Sequence, residues 1–87
     1  PSSANVALIF NQRQELLVVR RKNDPARGTL DLPGGFADMQ ETAEEGVIRE
    51  VKEETGLEVT SLRYLFSLPN RYKFSGVVLP TLDLFFA

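Results

Sequence analysis

Three carboxylates, Glu50, Glu53 and Glu54, fall within five consecutive positions of the segment GFADMQETAEEGVIREVKEETGL, residues 35–57. Acids at this density can hold a hard divalent cation or relay protons. The chain of 87 residues has no cysteine and no histidine. Thiolate and imidazole metal ligands, and Ser–His or Cys–His nucleophile systems, are therefore excluded within it. Any metal must be held by oxygen, which selects an ion such as magnesium or manganese.

The element that positions these acids is a helix. Thr42 followed by Glu45 forms a capping box, and Gly56 suits a left-handed terminal cap. The spacing predicts a helix over Ala43–Thr55. At about 100° per residue, Ala43, Val47, Val51 and Ile48 make the core-facing arc. Glu54 falls inside that arc, Glu50 and Glu53 lie at its edge, and Gly46 sits among them. Two carboxylates about 6 Å apart repel by roughly 3 kcal/mol at an effective dielectric near 20. Partial burial adds to the cost. Arg49 reaches Glu53 or Glu45 at four-residue spacing but projects away from Glu54, and one arginine does not neutralise three acids. A divalent cation would. An ordinary solvated acidic helix with i,i+4 pairs is the competing account, and periodicity leaves both open. Gly46 costs roughly 1 kcal/mol relative to alanine inside a helix, which predicts close approach by another backbone.

Around the helix the pattern is that of strands. Asn5–Phe10 and Glu15–Lys22 read as a hairpin across the polar NQRQ. NDPARG (residues 23–28) reads as a loop, TLDL as a brief strand and PGG (residues 33–35) as a turn. Leu57–Leu68 reads as a strand, PNRYKFSG (residues 69–76) as a loop, and VVLPTLDLFFA as a strand in which Pro80 marks a bulge or an edge. Strands on both sides of one helix predict an α+β layered domain.

The net charge of −2 carries no electrostatic footprint for nucleic acid or an anionic membrane, and no apolar run approaches a membrane span. Neither nucleic acid nor a membrane is an expected partner, and a cytoplasmic location is the default. The chain opens without methionine and stops inside an apolar run, so it is expected to be an internal piece of a longer polypeptide.

Gly35, Glu41 and the run Arg49-Glu50-Val51-Lys52-Glu53-Glu54-Thr55-Gly56-Leu57, with five and then seven residues between, resemble the Nudix box at each specified position. LPGG (residues 32–35) resembles the usual entry to it. The resemblance implies the Nudix fold: a mixed β-sheet with helices on its faces, an α/β/α sandwich. It further implies one domain over residues 1–87, with a strand and helix to follow Ala87. It implies a metal-dependent pyrophosphohydrolase acting on a nucleoside diphosphate linked to another group, with Mg2+ or Mn2+ as cofactor. By the same resemblance, Glu50, Glu53, Glu54 and the Gly34 carbonyl are the metal ligands, and the catalytic base is Glu50 or Glu53, or else a glutamate expected beyond Ala87. Arg49 orients a catalytic glutamate, and Glu41 is a supporting acid, or else simply an acid favoured near a helix N-terminus. A homodimer is compatible with this reading.

Arg20, Arg21 and Lys22 are candidate phosphate contacts, and Phe36, Tyr72 and Phe74 candidate stacking residues; solvation and core packing are their ordinary roles. SLPNRYKFS (residues 67–75) loosely resembles a motif of NADH pyrophosphatases at Ser67, Pro69, Phe74 and Ser75, without its tryptophan. Two other classes compete: a non-catalytic, nucleotide-binding Nudix domain with a regulatory role, and a Nudix-fold isomerase acting on an isoprenoid diphosphate.

Overall fold

Thr42 and Glu45 close the reciprocal capping box at the start of α1 (Ala43–Thr55), and Gly56, at φ 78°, returns its N–H to the Lys52 carbonyl at the other end. The helix bounds match those expected from the sequence. A computed structural model describes residues 2–23, 26–74 and 76–87, apart from the side chains of Ser2, Tyr72 and Phe74. The stacking roles expected of Tyr72 and Phe74 fall outside the described side chains, as do parts of both expected loops.

The strands are β1 (Ser2–Ala7), β2 (Val19–Arg20), β3 (Leu30–Asp31), β4 (Gly34–Phe36), β5 (Tyr64–Phe74) and β6 (Val77–Phe86). The main sheet has the order β4-β1-β6-β5, and β2 pairs with β3 in a separate ribbon. β1 runs parallel to β6 and antiparallel to β4, so the sheet is mixed. The parallel pair is closed by a crossover that includes α1. Ala7, Val47, Val51 and Phe86 form the buried core, with Ile9, Ala43, Val59, Leu62 and Leu84 packed against it. Strand alternation therefore places Asn5, Ala7, Leu84 and Phe86 beneath the helix, and Val6, Thr81, Asp83 and Phe85 on the other face. The single helix of the described residues lies on one face, the layered α+β arrangement the residue pattern predicts.

Several strand limits differ from expectation, each for a reason of pairing. Glu15–Lys22 is not one strand. Leu16 bridges Phe10, Leu17 donates to the Ile9 carbonyl, and only Val19–Arg20 turns to β3. Residues 57–63 stay irregular, because β5 is regular only where β6 stands beside it, from Tyr64 to Phe74. The expected loop from Pro69 is thus mostly strand. β5 is an edge strand, where proline costs no ladder bond. Pro80 brings no bulge: the register shift lies between Tyr64 and Phe66, and Pro80 pairs in register with Arg71. Ile48, assigned to the core arc, is 38 % exposed; the buried stripe is rotated towards Gly46.

Of the expected turn at PGG, only Pro33 bends; Gly34 and Gly35 belong to β4. Gly34 pairs with Val6, and a Cβ at Gly34 would lie 2.0 Å from the Asn5 carbonyl oxygen. The glycine is needed for strand contact rather than for reversal of the chain. Gly34→Ala should cost about 3 kcal/mol by forcing β4 off β1. Gly28→Ala, with open space around the added carbon, should cost only about 1–2 kcal/mol of left-handed backbone strain. Urea unfolding midpoints of the two variants would check the difference.

Candidate active site

The helix face next to β4 is organised by Arg49. Its Nε and Nη2 donate to the two oxygens of Glu41, at 3.1 and 2.8 Å, a two-pronged pairing. Its Nη1 donates to Glu50 Oε1 at 2.6 Å and to Glu53 Oε1 at 2.8 Å. Asp38 stands 3.7 Å from Nη2. The guanidinium thus gathers four carboxylates, two of them from outside the helix. The expected alternative pairing with Glu45 is not made, because Glu45 is used by the capping box.

These contacts set the charge states. The Arg49 hydrogen bonds, joined by the Asp38 N–H, lower the Glu41 carboxyl from 4.5 to about 2. Glu41 and Glu50 in turn push the Arg49 guanidinium further up, so it stays charged. Glu54 lies outside this network. Its Oε1 accepts the Gly34 N–H at 2.9 Å. Partial burial raises its pKa, the Gly34 N–H opposes that rise, and the neighbouring Glu50, Asp31 and Glu53 carboxylates add to it.

Glu50 and Glu53 converge on one point of positive charge, the Arg49 guanidinium, of which only the Glu53 pairing was expected. Glu54 turns instead to the backbone of β4. Among the described residues no three acids are gathered as a ready-made metal site, because Glu50 and Glu53 face Arg49 and Glu54 faces the Gly34 N–H. The donors that do converge are all carboxylate oxygens, the type suited to magnesium or manganese.

Two glycines let the helix sit this close. A Cβ at Gly35 would lie 2.8 Å from Glu50 Oε2. A Cβ at Gly46 would meet Asn5 Nδ2 at 2.9 Å and Glu41 Oε1 at 3.0 Å. The neighbour that Gly46 accommodates is thus a pair of side chains, not the backbone its position predicted. Asn5 is buried, and its Oδ1 has no hydrogen-bond partner among the described residues.

Two cavities flank Glu54. One, of about 280 Å³, is lined by Arg20, Arg21, Lys22, Asp31, Glu53 and Glu54. The other, of about 380 Å³, is lined by Gly34, Phe36, Asn70, Thr81 and Asp83 among others. Arg21, Asp31, Leu32, Gly34 and Glu54 belong to both, so the two meet along one trough. The basic triplet reaches this trough, although Arg20 also donates to the Gly28 carbonyl and Arg21 pairs with Asp31 at 3.0 Å. Phe36, a candidate stacking residue, is 40 % exposed and lines the second cavity.

Sequence reading missed Asn5, Asp31, Asp38 and the Asn70–Thr81–Asp83 group. Only Asp83 carried a signal, as a lone acid in an otherwise apolar strand.

The NUDIX domain model matches residues 1–82, and the chain belongs to the Nudix family. An ADP-ribose pyrophosphatase of Methanocaldococcus jannaschii is 48% identical over 65 residues, which cover 72% of this chain and 38% of that protein. The NAD-capped RNA hydrolase NudC of Vibrio vulnificus is 40% identical over 62 residues, covering 71% of this chain and 24% of that protein. The chain thus spans well under half the length of these relatives. Among solved structures, the MutT NUDIX hydrolase of Burkholderia pseudomallei superposes with a TM-score of 0.79 at 27% identity, covering 100% of this chain and 69% of that one. The NUDIX domain of Shewanella oneidensis NrtR, complexed with ADP ribose, superposes with a TM-score of 0.78 at 26% identity, covering 97% and 56%.

Opposite pH dependences are expected of two of the acids. The lowered pKa of Glu41 stabilises the fold above pH 4.5, and that contribution is lost as pH falls towards 2. Glu41→Gln should therefore lower stability at neutral pH and flatten the acid limb of the stability curve. Glu54 has a raised pKa, so its ionisation destabilises the fold as pH rises above 4.5. Glu54→Gln, which keeps an acceptor for the Gly34 N–H, should stabilise the metal-free protein at neutral pH. Chemical denaturation of both variants at a series of pH values checks each sign.

Proposed function

We propose that this domain hydrolyses the diphosphate linkage of a nucleoside diphosphate joined to another group, with Mg2+ or Mn2+ bound by Glu50, Glu53, Glu54 and the Gly34 carbonyl. The observation that carries the reading is the convergence of Glu50 and Glu53 within 2.8 Å of a single cationic nitrogen. Glu54 stands beside them without a positive partner in its hydrogen bonding, its charge opposed by burial and by its neighbours. A site with this surplus of acid gains from a dication. When bound, such an ion offsets the negative charge of the diphosphate, polarises a phosphoryl oxygen and lowers the pKa of a coordinated water.

The chain's own groups supply the rest. Glu50 or Glu53 accepts the proton of the attacking water. Arg49 holds both in place, with Glu41 fixing the guanidinium plane through two hydrogen bonds. Arg20, Arg21 and Lys22 line the cavity next to Glu53 and Glu54, where anionic phosphate would lie. The pyrophosphatase and hydrolase names of the relatives, and the ADP ribose bound by the NrtR domain, support a small nucleotide substrate. A cytoplasmic setting suits such a substrate; among the described residues no helix is long and apolar enough to cross a membrane.

A second reading, a nucleotide-binding domain with a regulatory role, has one observation in its favour. NrtR, whose NUDIX domain was solved with ADP ribose, was also solved with a 27mer DNA. Retention of Glu50, Glu53, Glu54 and Arg49 favours the enzyme.

The test uses the intact protein and a broad panel of nucleotide diphosphate compounds, with and without Mg2+. Wild type should turn over at least one compound only when the metal is present. Glu50→Gln and Glu53→Gln should each lower kcat by about a hundredfold or more. Mn2+ binding, followed by electron paramagnetic resonance, then separates their roles: the variant that loses turnover while holding the ion marks the base. Absence of metal-dependent turnover across the panel would leave the binding domain as the better account.

A further inference from the structure

Asp83 lies in the run LDLFF of β6, on the sheet face turned away from α1. Its Oδ2 accepts from Asn70 Nδ2 at 2.9 Å and its Oδ1 from Thr81 Oγ1 at 3.0 Å. Both donors are neutral, and Thr81 is 6 % exposed. The Asn70 carbonyl oxygen is itself occupied by the Arg71 N–H at 2.8 Å, which fixes the orientation of the amide. The group spends the Thr81 hydroxyl and one of the two Asn70 N–H donors internally. At Asp83 itself, what remains for a ligand is acceptor capacity, one further lone pair on each carboxylate oxygen.

The same cavity holds Gly34 and Glu54 at the diphosphate end of the proposed site. Gly34 pairs with Val6, and Val6 with Phe85; Ala4 pairs with Asp83. Asp83 is thus two strands across and two residues along from Gly34. With strands about 4.8 Å apart and a rise of about 3.4 Å per residue, the backbone separation is about 12 Å. That is the reach from a phosphate, across its ribose, to the far edge of a base. Phe36, which pairs with Ala4 in the same row, adds an apolar ring to the lining.

We infer that Asp83 selects the nucleobase of the substrate by accepting a hydrogen bond from an exocyclic amino group, with Asn70 and Thr81 as its positioning residues. The inference rests on the diphosphate-hydrolase reading and names the substrate class: nucleotides of amino-bearing bases. A base presenting a carbonyl oxygen at that edge meets the carboxylate with like partial charge and is rejected.

The experiment compares matched substrates on the intact protein: ADP-ribose against inosine diphosphate ribose, and dGTP against dITP. Wild type should favour the amino-bearing member of the cleaved pair in kcat/KM by roughly tenfold to a hundredfold, the worth of a hydrogen bond to a charged group. The difference should lie mainly in KM. Asp83→Asn presents an amide N–H and should erase or invert the preference. Asn70→Ala, which frees the carboxylate to turn, should narrow it. Calorimetric binding of AMP and IMP to wild type gives the same ranking without turnover and without any variant that has to fold. Equal handling of both members by wild type, or an unchanged ratio in Asp83→Asn, overturns the inference while leaving hydrolysis intact. Neither turnover nor nucleotide binding overturns both.

Discussion

The guanidinium of Arg49 is the interaction on which the acidic face depends. Glu50 and Glu53, on adjacent turns of α1, would otherwise repel by roughly 3 kcal/mol at close range. One planar cation with five donors answers several acids at once: two bonds to Glu41 and one each to Glu50 and Glu53. Lysine, a compact point charge, has no such fork. Because Glu41 precedes the helix, the same network ties the approach segment to the second turn of α1. Electrostatic balance and local chain geometry are thus one constraint.

That network leaves Glu54 out, and its isolation gives the site its character. A half-exposed carboxylate with a backbone N–H for a partner and three acids nearby has a raised pKa. Its ionisation costs the fold stability as pH rises, a cost that the cation uptake proposed above would offset.

Close approach of helix to sheet is the second requirement. It is met by removing side chains. Gly34 lies against the Asn5 carbonyl, Gly35 beneath Glu50, and Gly46 against Asn5 and Glu41. In each case a methyl group would displace either β4 or an acid that the site uses. The trough beside Glu54 follows from this contact: β4 forms part of its wall, the basic end of β2 lies on one side, and the polar group on β6 on the other.

How much of this was legible in the sequence depended on range. The helix bounds, both caps and the acidic face were, because capping boxes, left-handed glycines and 3.6-residue periodicity act over a few residues. The strands were harder to delimit. β5 runs through Pro69 because β6 pairs with it, and the two glycines of PGG are strand because β1 lies alongside; neither fact is local. Arg49 was visible as an ion-pairing residue, but its hydrogen bonds to Glu41 and its ion pair with Asp38 depend on a loop folding back. The sequence alone determined which acids share a helix face and which glycines interrupt it. Tertiary structure alone decided that Arg49 also takes Glu41, that Glu54 turns to the Gly34 N–H, and that Asn70 meets Asp83 and Thr81. Glu50 and Glu53 share α1 with Arg49 and are local partners, whereas Glu41, Gly34 and Asn70 lie on other segments that only sheet register and helix docking bring within hydrogen-bonding distance.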